Sequence, residues 1–338
     1  ALLGQFPWAS LPTIPPEIIL LPRWFPFNLA EISSWTRAMI IPLAILNHLK
    51  PTRPVPPEKQ LHELYPAGTE AANLLPRPDP KLLTWRNFFL GVDRMLKWID
   101  RIGFHPLRDF AVEESLSWML TRMGKESDGL AAVFPAMLNA IIALEALGHD
   151  ESHPLLAKAI RDFEGLYVDD PEDFRIQPCL SPVWDTAINI IALTESEPTA
   201  DGTPPATEAV RKATRWLVER EVRIKGDWTA KNAHPEASGW AFEYRNDYYP
   251  DTDDTMMVLM ALRFAPEEGG VDEALMHRAL GWLLSFQCRD GGWAAFDKDV
   301  TRHWLNAVPF ADHNAITDPT CSDLTGRMLE LLGYLGFD

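Results

Sequence analysis

At 338 residues the chain has room for one large or two ordinary domains, and 46% hydrophobic residues supply ample material for a core. A formal net charge of −17 with no basic stripe excludes nucleic acid as an expected partner. Three cysteines, Cys179, Cys288 and Cys321, are an odd number without metal-ligand spacing, so they read as reduced thiols in a cytoplasmic setting, with neither metal nor cofactor expected. No apolar run reaches the roughly 18 residues of a membrane-spanning helix, and no signal peptide is visible. The chain opens at Ala1 without a methionine and stops at Asp338 just after an apolar helix, so a longer parent protein is expected.

Residues 1–28 are rich in proline and aromatics and read as irregular wrapping around a core. The first clear helix is predicted over 29–49, followed by a proline-rich loop over 50–80. Residues 84–102 are amphipathic: Trp85, Phe88, Phe89, Val92, Met95, Leu96 and Ile99 follow the 3.6-residue period. That pattern suits a core-facing helix or one lying in a membrane interface, with aromatics down and basic residues at the edge. Further helices are predicted at about 109–123, 134–147, 152–164, 181–195, 206–221, 252–264, 272–286 and 319–335. Strand alternation is nearly absent, so the expected fold is all-α.

An internal repeat organises the second half of the chain. Three helix starts carry a proline, then an aspartate, then a threonine; Asp185, Asp254 and Asp323 lie 69 residues apart in both steps. Between them a second element recurs, running from Trp216-Leu217 through Glu221 to Trp228, and from Trp282-Leu283 through Gln287 to Trp293. The Gln…Gly-x-Trp part reads as a structural staple, with glutamine capping backbone groups and tryptophan stacking on it. Each repeat is then an inner helix, an outer helix and a Gly-Trp turn. Stacked helix pairs of this kind form a solenoid that can close into an α/α barrel, with the aspartate-bearing helix starts at one end.

The middle helix start stands out. Asp251 reads as an N-cap, with Asp253 and Asp254 in the first turn, where carboxylates suit the helix macrodipole. Capping needs one carboxylate, and this copy has three, beside Phe242, Tyr244, Tyr248 and Tyr249. Crowding and burial favour a retained proton; the helix N-terminus pulls toward carboxylate. A group held between these tendencies is a strong acid that still carries its proton.

Asp251-Thr-Asp253-Asp254-Thr255, together with Gln287-Cys-Arg-Asp-Gly-Gly-Trp293, resembles the squalene–hopene cyclases, the class II triterpene cyclases of bacteria. The opening GQFPWASLPTIPPEIILLPRWFPFNLAEISSWTRA and the segments SPVWDTA and GWAFEYRNDYYPDTDDT match that family in order and spacing, so the likeness covers essentially the whole chain. It implies two α/α barrels, each partly present. Residues 1–178 would be part of the smaller barrel, with proline-rich wrapping and a membrane-interfacial helix near 84–102. Residues 179–338 would be the first half of the catalytic barrel. The related oxidosqualene cyclases carry an Asp-Cys-Thr-Ala-Glu version suited to opening an epoxide, so squalene itself is the expected substrate. Hopene would be the product, with hopanol where water traps the last cation.

The same resemblance implies residue roles. Asp253 would be the proton donor, supported by Asp251 and Asp254. Arg327 stands where some members have histidine, and Asp323 would support it. A guanidinium does not titrate in the working range, so proton return would need another route, such as water. Trp35, Trp184, Phe242, Phe296 and Phe310 would line the cavity and stabilise migrating positive charge without accepting a proton, each by roughly 0.5–2 kcal/mol when desolvated. Phe296 stands where some members have tyrosine. Val133 and Pro135 would sit at the far end, where the last cation loses a proton or meets water. Ile32, Ile40, Phe310 and Ala311 would form the channel constriction. Squalene is insoluble in water, so a lipid surface is an expected partner; a monotopic protein on the cytoplasmic face of a bacterial membrane is implied, and a homodimer is admitted. Three rivals remain: a class II cyclase of another polyprene, an inactive lipid-binding fragment, and a prenyltransferase-like barrel. The last needs a zinc site of Asp, Cys and His, for which no cluster has suitable spacing.

Overall fold

The computed structural model describes residues 1–65, 68, 74–196, 207–265, 270–311 and 315–337. Parts of the predicted 50–80 loop, at 66–67 and 69–73, and residue 206 of the predicted 206–221 helix lie outside them. The chain divides into two compact units. Unit 1 comprises Ala1–Thr121, Pro135–Arg161 and Arg302–Thr317; unit 2 comprises Arg122–Phe134, Asp162–Thr301 and Asp318–Asp338.

Ten α-helices are defined among the described residues: α1 (Ser34–Leu49), α2 (Trp85–Ile102), α3 (Arg108–Arg122), α4 (Phe134–Ala146), α5 (Pro154–Glu164), α6 (Pro182–Thr194), α7 (Thr207–Val218), α8 (Thr252–Phe264), α9 (Glu273–Ser285) and α10 (Ser322–Tyr334). The first helix starts later than predicted because two good caps compete. Asn28 caps a separate 3₁₀ turn, Leu29–Glu31, by accepting from the Ala30 N–H at 2.9 Å. Ile32 is extended, and the Ser33 hydroxyl then caps α1 by accepting from the Thr36 N–H. One hairpin qualifies the all-α reading: β1 (Tyr167–Asp170) pairs antiparallel with β2 (Asp173–Ile176). Its strands are largely exposed and rich in charge, so they show no apolar alternation to find.

In unit 1, Thr84 caps α2, and Gly103 ends it in the left-handed region at φ 70°. The helix turns Phe89 and Leu90 inward, and Phe89 stacks on Trp304 at 5.9 Å. Trp85, Phe88, Met95 and Trp98 face outward, beside Leu82 and Leu83, which is fully exposed. A cavity of about 540 Å³ opens beside α2, lined by apolar side chains that include Ile18, Phe27, Phe89, Leu96, Phe104 and Phe310.

In unit 2, α8 is central. It packs on α6 and α10, while α7 packs on α6 and α8, and α9 packs on α8. Helices α6, α8 and α10, which the repeat assigns to the inner set, pack in a row, with α7 and α9, assigned to the outer set, against them. The shared core holds Trp228, Trp240, Trp282, Phe286 and Trp293 with Met256, Leu259, Leu283 and Met328.

The structure corrects the register of the repeat. The caps of α6, α8 and α10 are Ser181, Asp251 and Cys321, spaced 70 residues apart. By that register Asp323 corresponds to Asp253, and Asp185 corresponds to Thr255. The staple moves as well. Trp293 donates its indole N–H to the Leu283 carbonyl at 2.8 Å, and the tryptophan that does the same for Leu217, at 2.7 Å, is Trp240. Trp228 instead sits in the longer connection between α7 and α8, edge-on to Trp282 at 5.7 Å. Both staples repeat further bonds. The backbone N–H groups of Trp240 and Trp293 donate to the hydroxyls of Thr255 and Thr325, at 3.0 and 3.1 Å. The glycine before each tryptophan is required by space: a Cβ on Gly239 or Gly292 would lie 3.0 or 2.9 Å from those hydroxyls.

Candidate active site

The start of α8 is built by a short antiparallel bridge. The Asp251 N–H donates to the Trp240 carbonyl at 3.0 Å, and the Asp251 carboxylate accepts from the Asp254 N–H at 2.8 Å. Thr252 is anchored from the other side, its N–H on the Ala295 carbonyl at 2.8 Å and its hydroxyl on the Ala294 carbonyl at 2.6 Å. Asp251, Thr252, Asp254 and Thr255 are all buried.

The three carboxyls divide into two environments. Burial raises the pKa of both Asp251 and Asp254, and their mutual contact raises Asp254 further, so together they favour keeping a proton. Asp253 keeps a third of its side chain exposed and forms an ion pair with Arg327 of α10. The facing atoms, Asp253 Oδ1 and Arg327 Nη1, are themselves sealed from solvent. The Arg327 guanidinium lies over the Trp184 ring of α6, 5.3 Å from its centroid. Three adjacent inner helices thus contribute one group each. Asp323 is placed differently: it is exposed at the start of α10, beside Cys321.

The predicted aromatics of unit 2 are tied in through the backbone. The Phe242 carbonyl accepts from the Val183 N–H at the start of α6, at 3.4 Å. Phe296 follows Ala295 and donates its N–H to Asp318 at 2.7 Å. Val133 is buried after Ala131 and Ala132, which both hold left-handed backbone at φ 53° and 48°. In unit 1, Ile32 and Ile40 are buried in one cluster, with Phe310 and Ala311 packed against it. Trp35 is exposed on the first turn of α1, and Pro135 is half-buried on the first turn of α4.

Two carboxyls in this neighbourhood had no motif to mark them. Asp318 accepts from the N–H groups of Ala295, Phe296 and Asp297 and so fixes the loop against α8; burial and the Asp297 charge push its pKa up to about 6. Its one sequence signal is its place just before Pro319, as Tyr249 precedes Pro250. Glu243 is buried, and burial with the Asp251 charge raises its pKa to about 8, against the opposing hydrogen bond from Asn246.

Comparison with known proteins adds to this geometry. The family model of the squalene–hopene cyclase N-terminal domain matches residues 1–172, and that of the C-terminal domain matches residues 180–338. A protein of Sinorhizobium fredii named probable squalene–hopene cyclase is 38% identical over 99% of this chain and 52% of its own length. Dammaradiene synthase of Dryopteris crassirhizoma is 38% identical over 99% of this chain and 48% of its own. The squalene–hopene cyclase of Bradyrhizobium diazoefficiens is 35% identical, covering 99% and 50%. The chain therefore spans about half the length of the relatives it matches.

Proposed function

The chain belongs to the squalene–hopene cyclase family of triterpene cyclases, built on α/α barrels, and from that premise we propose that it is the central part of an enzyme cyclising squalene to hopene, with hopanol where water captures the last cation. The observation that carries this reading is the Asp253–Arg327 pair beside the buried Asp251–Asp254 carboxyls at one helix start. An isolated alkene is a very weak base, so its protonation demands a strong acid shielded from water. In its protonated form Asp253 gives its proton to the terminal alkene, and Arg327 orients Asp253 and stabilises the carboxylate left behind, which is the ion pair that the structure holds. Trp184, Phe242 and Phe296 stabilise the migrating cation through their ring faces, roughly 0.5–2 kcal/mol each. The resemblance assigns Trp35, Phe310, Val133 and Pro135 to substrate binding and Asp323 to the support of Arg327.

Squalene must arrive from lipid. The exposed Leu82, Leu83, Trp85, Phe88 and Trp98, with Lys81, Arg86, Arg94 and Arg101 among them, support an interfacial docking face for α2 and its approach. The apolar cavity beside α2 and the cluster of Ile32, Ile40, Phe310 and Ala311 support a substrate path in the same unit. No described helix is long and apolar enough to cross a membrane, and the association proposed here is monotopic, through the exposed face of α2 and its approach.

A second reading, a class II cyclase forming a different product, is favoured by the 38% identity to dammaradiene synthase. Incubation with squalene and with shorter polyprenes, followed by mass spectrometry, separates the two: hopene from squalene supports the first, and another skeleton or a preference for a shorter substrate supports the second. Liposome binding without conversion by the 338-residue chain would mark it as a lipid-binding fragment.

A further inference from the structure

On the cyclase reading, on which this inference rests, the strength of the acid depends on where the Arg327 guanidinium is held, because that charge stabilises the carboxylate Asp253 becomes. Asp253 lies on the first turn of α8, Trp184 on the first turn of α6, and Arg327 on the second turn of α10. Helical side chains lean toward the N-terminus of their own helix, so Arg327 reaches back to the level of the other two. Helix α8 packs on both α6 and α10. The long arginine side chain also has a candidate partner on its own helix. Asp323 stands four residues earlier, the ordinary spacing of an intrahelical ion pair. Among the described residues no ion pair joins the two.

The guanidinium turns instead to the Asp253 carboxylate and to the indole of Trp184, 5.3 Å from the ring centroid. Among the described residues no backbone carbonyl or other side chain accepts a hydrogen bond from Arg327, so these two neighbours set its direction. Trp184 stacks on no other ring among the described residues, and the guanidinium is what its face receives. A guanidinium within about 6 Å of an indole centroid is attracted by the negative face of the ring. An indole suits this task better than a further carboxylate would. It carries no charge to compete with Asp253 for the cation, and it takes no proton.

We propose that Trp184 is a positioning residue for the acid: one face of its ring holds Arg327 on Asp253 and away from Asp323. The opposite face is left for the migrating cation. Trp184 then acts on the protonation step without touching the proton, through the arginine it steadies.

A double-mutant cycle tests this, with squalene turnover measured for the full-length protein containing this chain as wild type, W184L, R327M and the double variant. Leucine keeps an apolar filler and removes the ring face. Action through Arg327 predicts that W184L lowers kcat about tenfold in the presence of Arg327 and no more than about twofold in the R327M background. W184F, which keeps a weaker ring, should lie between wild type and W184L, and it replaces W184L in the cycle if that variant does not fold. Equal factors in the two backgrounds would mean that Trp184 acts on substrate or packing alone, and an unchanged kcat in W184L would remove it from the acid; either overturns the proposal. Urea midpoints of the same four proteins read the contact without substrate: W184L should lower the midpoint less in the R327M background, and equal drops would overturn the proposal as well. A wild type that makes no product would sink the cyclase reading, a failure distinct from that of the contact, which the urea cycle decides by itself.

Discussion

Thr255→Val removes one oxygen from the point on which the α8 start depends. The Thr255 hydroxyl accepts from the Trp240 N–H at 3.0 Å and donates to the Asp251 carbonyl at 2.6 Å. Trp240 and Thr255 are both completely buried. Valine matches the shape of threonine, so the main loss is the acceptor for a buried N–H, which costs about 1–3 kcal/mol. The Asp251 carbonyl keeps the Thr255 N–H as a donor and loses less. The repeat supplies an internal control. Thr325 makes the equivalent bonds to Trp293 and Cys321, but it is only half-buried and water can replace its hydroxyl, so Thr325→Val should cost about 1 kcal/mol or less. Urea denaturation at unchanged m-value measures both, and T255V should have the lower midpoint. Equal midpoints, or a larger loss for T325V, would refute the view that burial of this staple holds the acid in place.

Other outcomes follow from the same geometry. Burial raises the Glu243 pKa from its ordinary value to about 8. The folded state therefore binds the proton more tightly than the unfolded one, and the associated stability is full below the ordinary value and lost as pH rises through 8. That loss has a ceiling of about 1.4 kcal/mol per pH unit, and E243Q should flatten it in urea midpoints taken at several pH values across that window. Phe88→Ser with Trp98→Ser should weaken partitioning onto vesicles with little loss of fold, since both rings are exposed; unchanged partitioning would remove α2 from the membrane proposal. Phe89→Ser should instead destabilise by about 3 kcal/mol, because that ring is buried against Trp304 and Phe27. Arg327→Met leaves Asp253 without its cation and should lower turnover at least about tenfold while melting behaviour stays near that of wild type.

Helix positions were legible because caps and apolar period act locally. Asp251, Thr84 and Asp272 each cap the helix they precede by accepting a backbone N–H. The repeat register was only partly legible. Aspartates align at a spacing of 69 residues, yet helix caps align at 70, and a cap is defined by backbone geometry that Ser181 and Cys321 satisfy without a side-chain bond. Trp228 resembled the second staple because it is the first tryptophan after a glycine. The indole that reaches the outer helix belongs to Trp240, and that bond spans 23 residues. The acid cluster was visible as an excess of carboxylates over what a cap requires. Its division into a buried pair and an arginine-paired member depends on tertiary packing, as does the burial of Glu243, so neither left a mark on local pattern.

The most direct test of the central claim incubates the full-length protein containing this chain with squalene, and its Asp253→Asn variant in parallel, with products identified by mass spectrometry. The account predicts hopene, with hopanol beside it, from the wild type, and no cyclised product from a variant that folds and melts like the wild type. Near-normal turnover by D253N would contradict the assignment of the acid, and unchanged squalene with the wild type would contradict the proposed reaction.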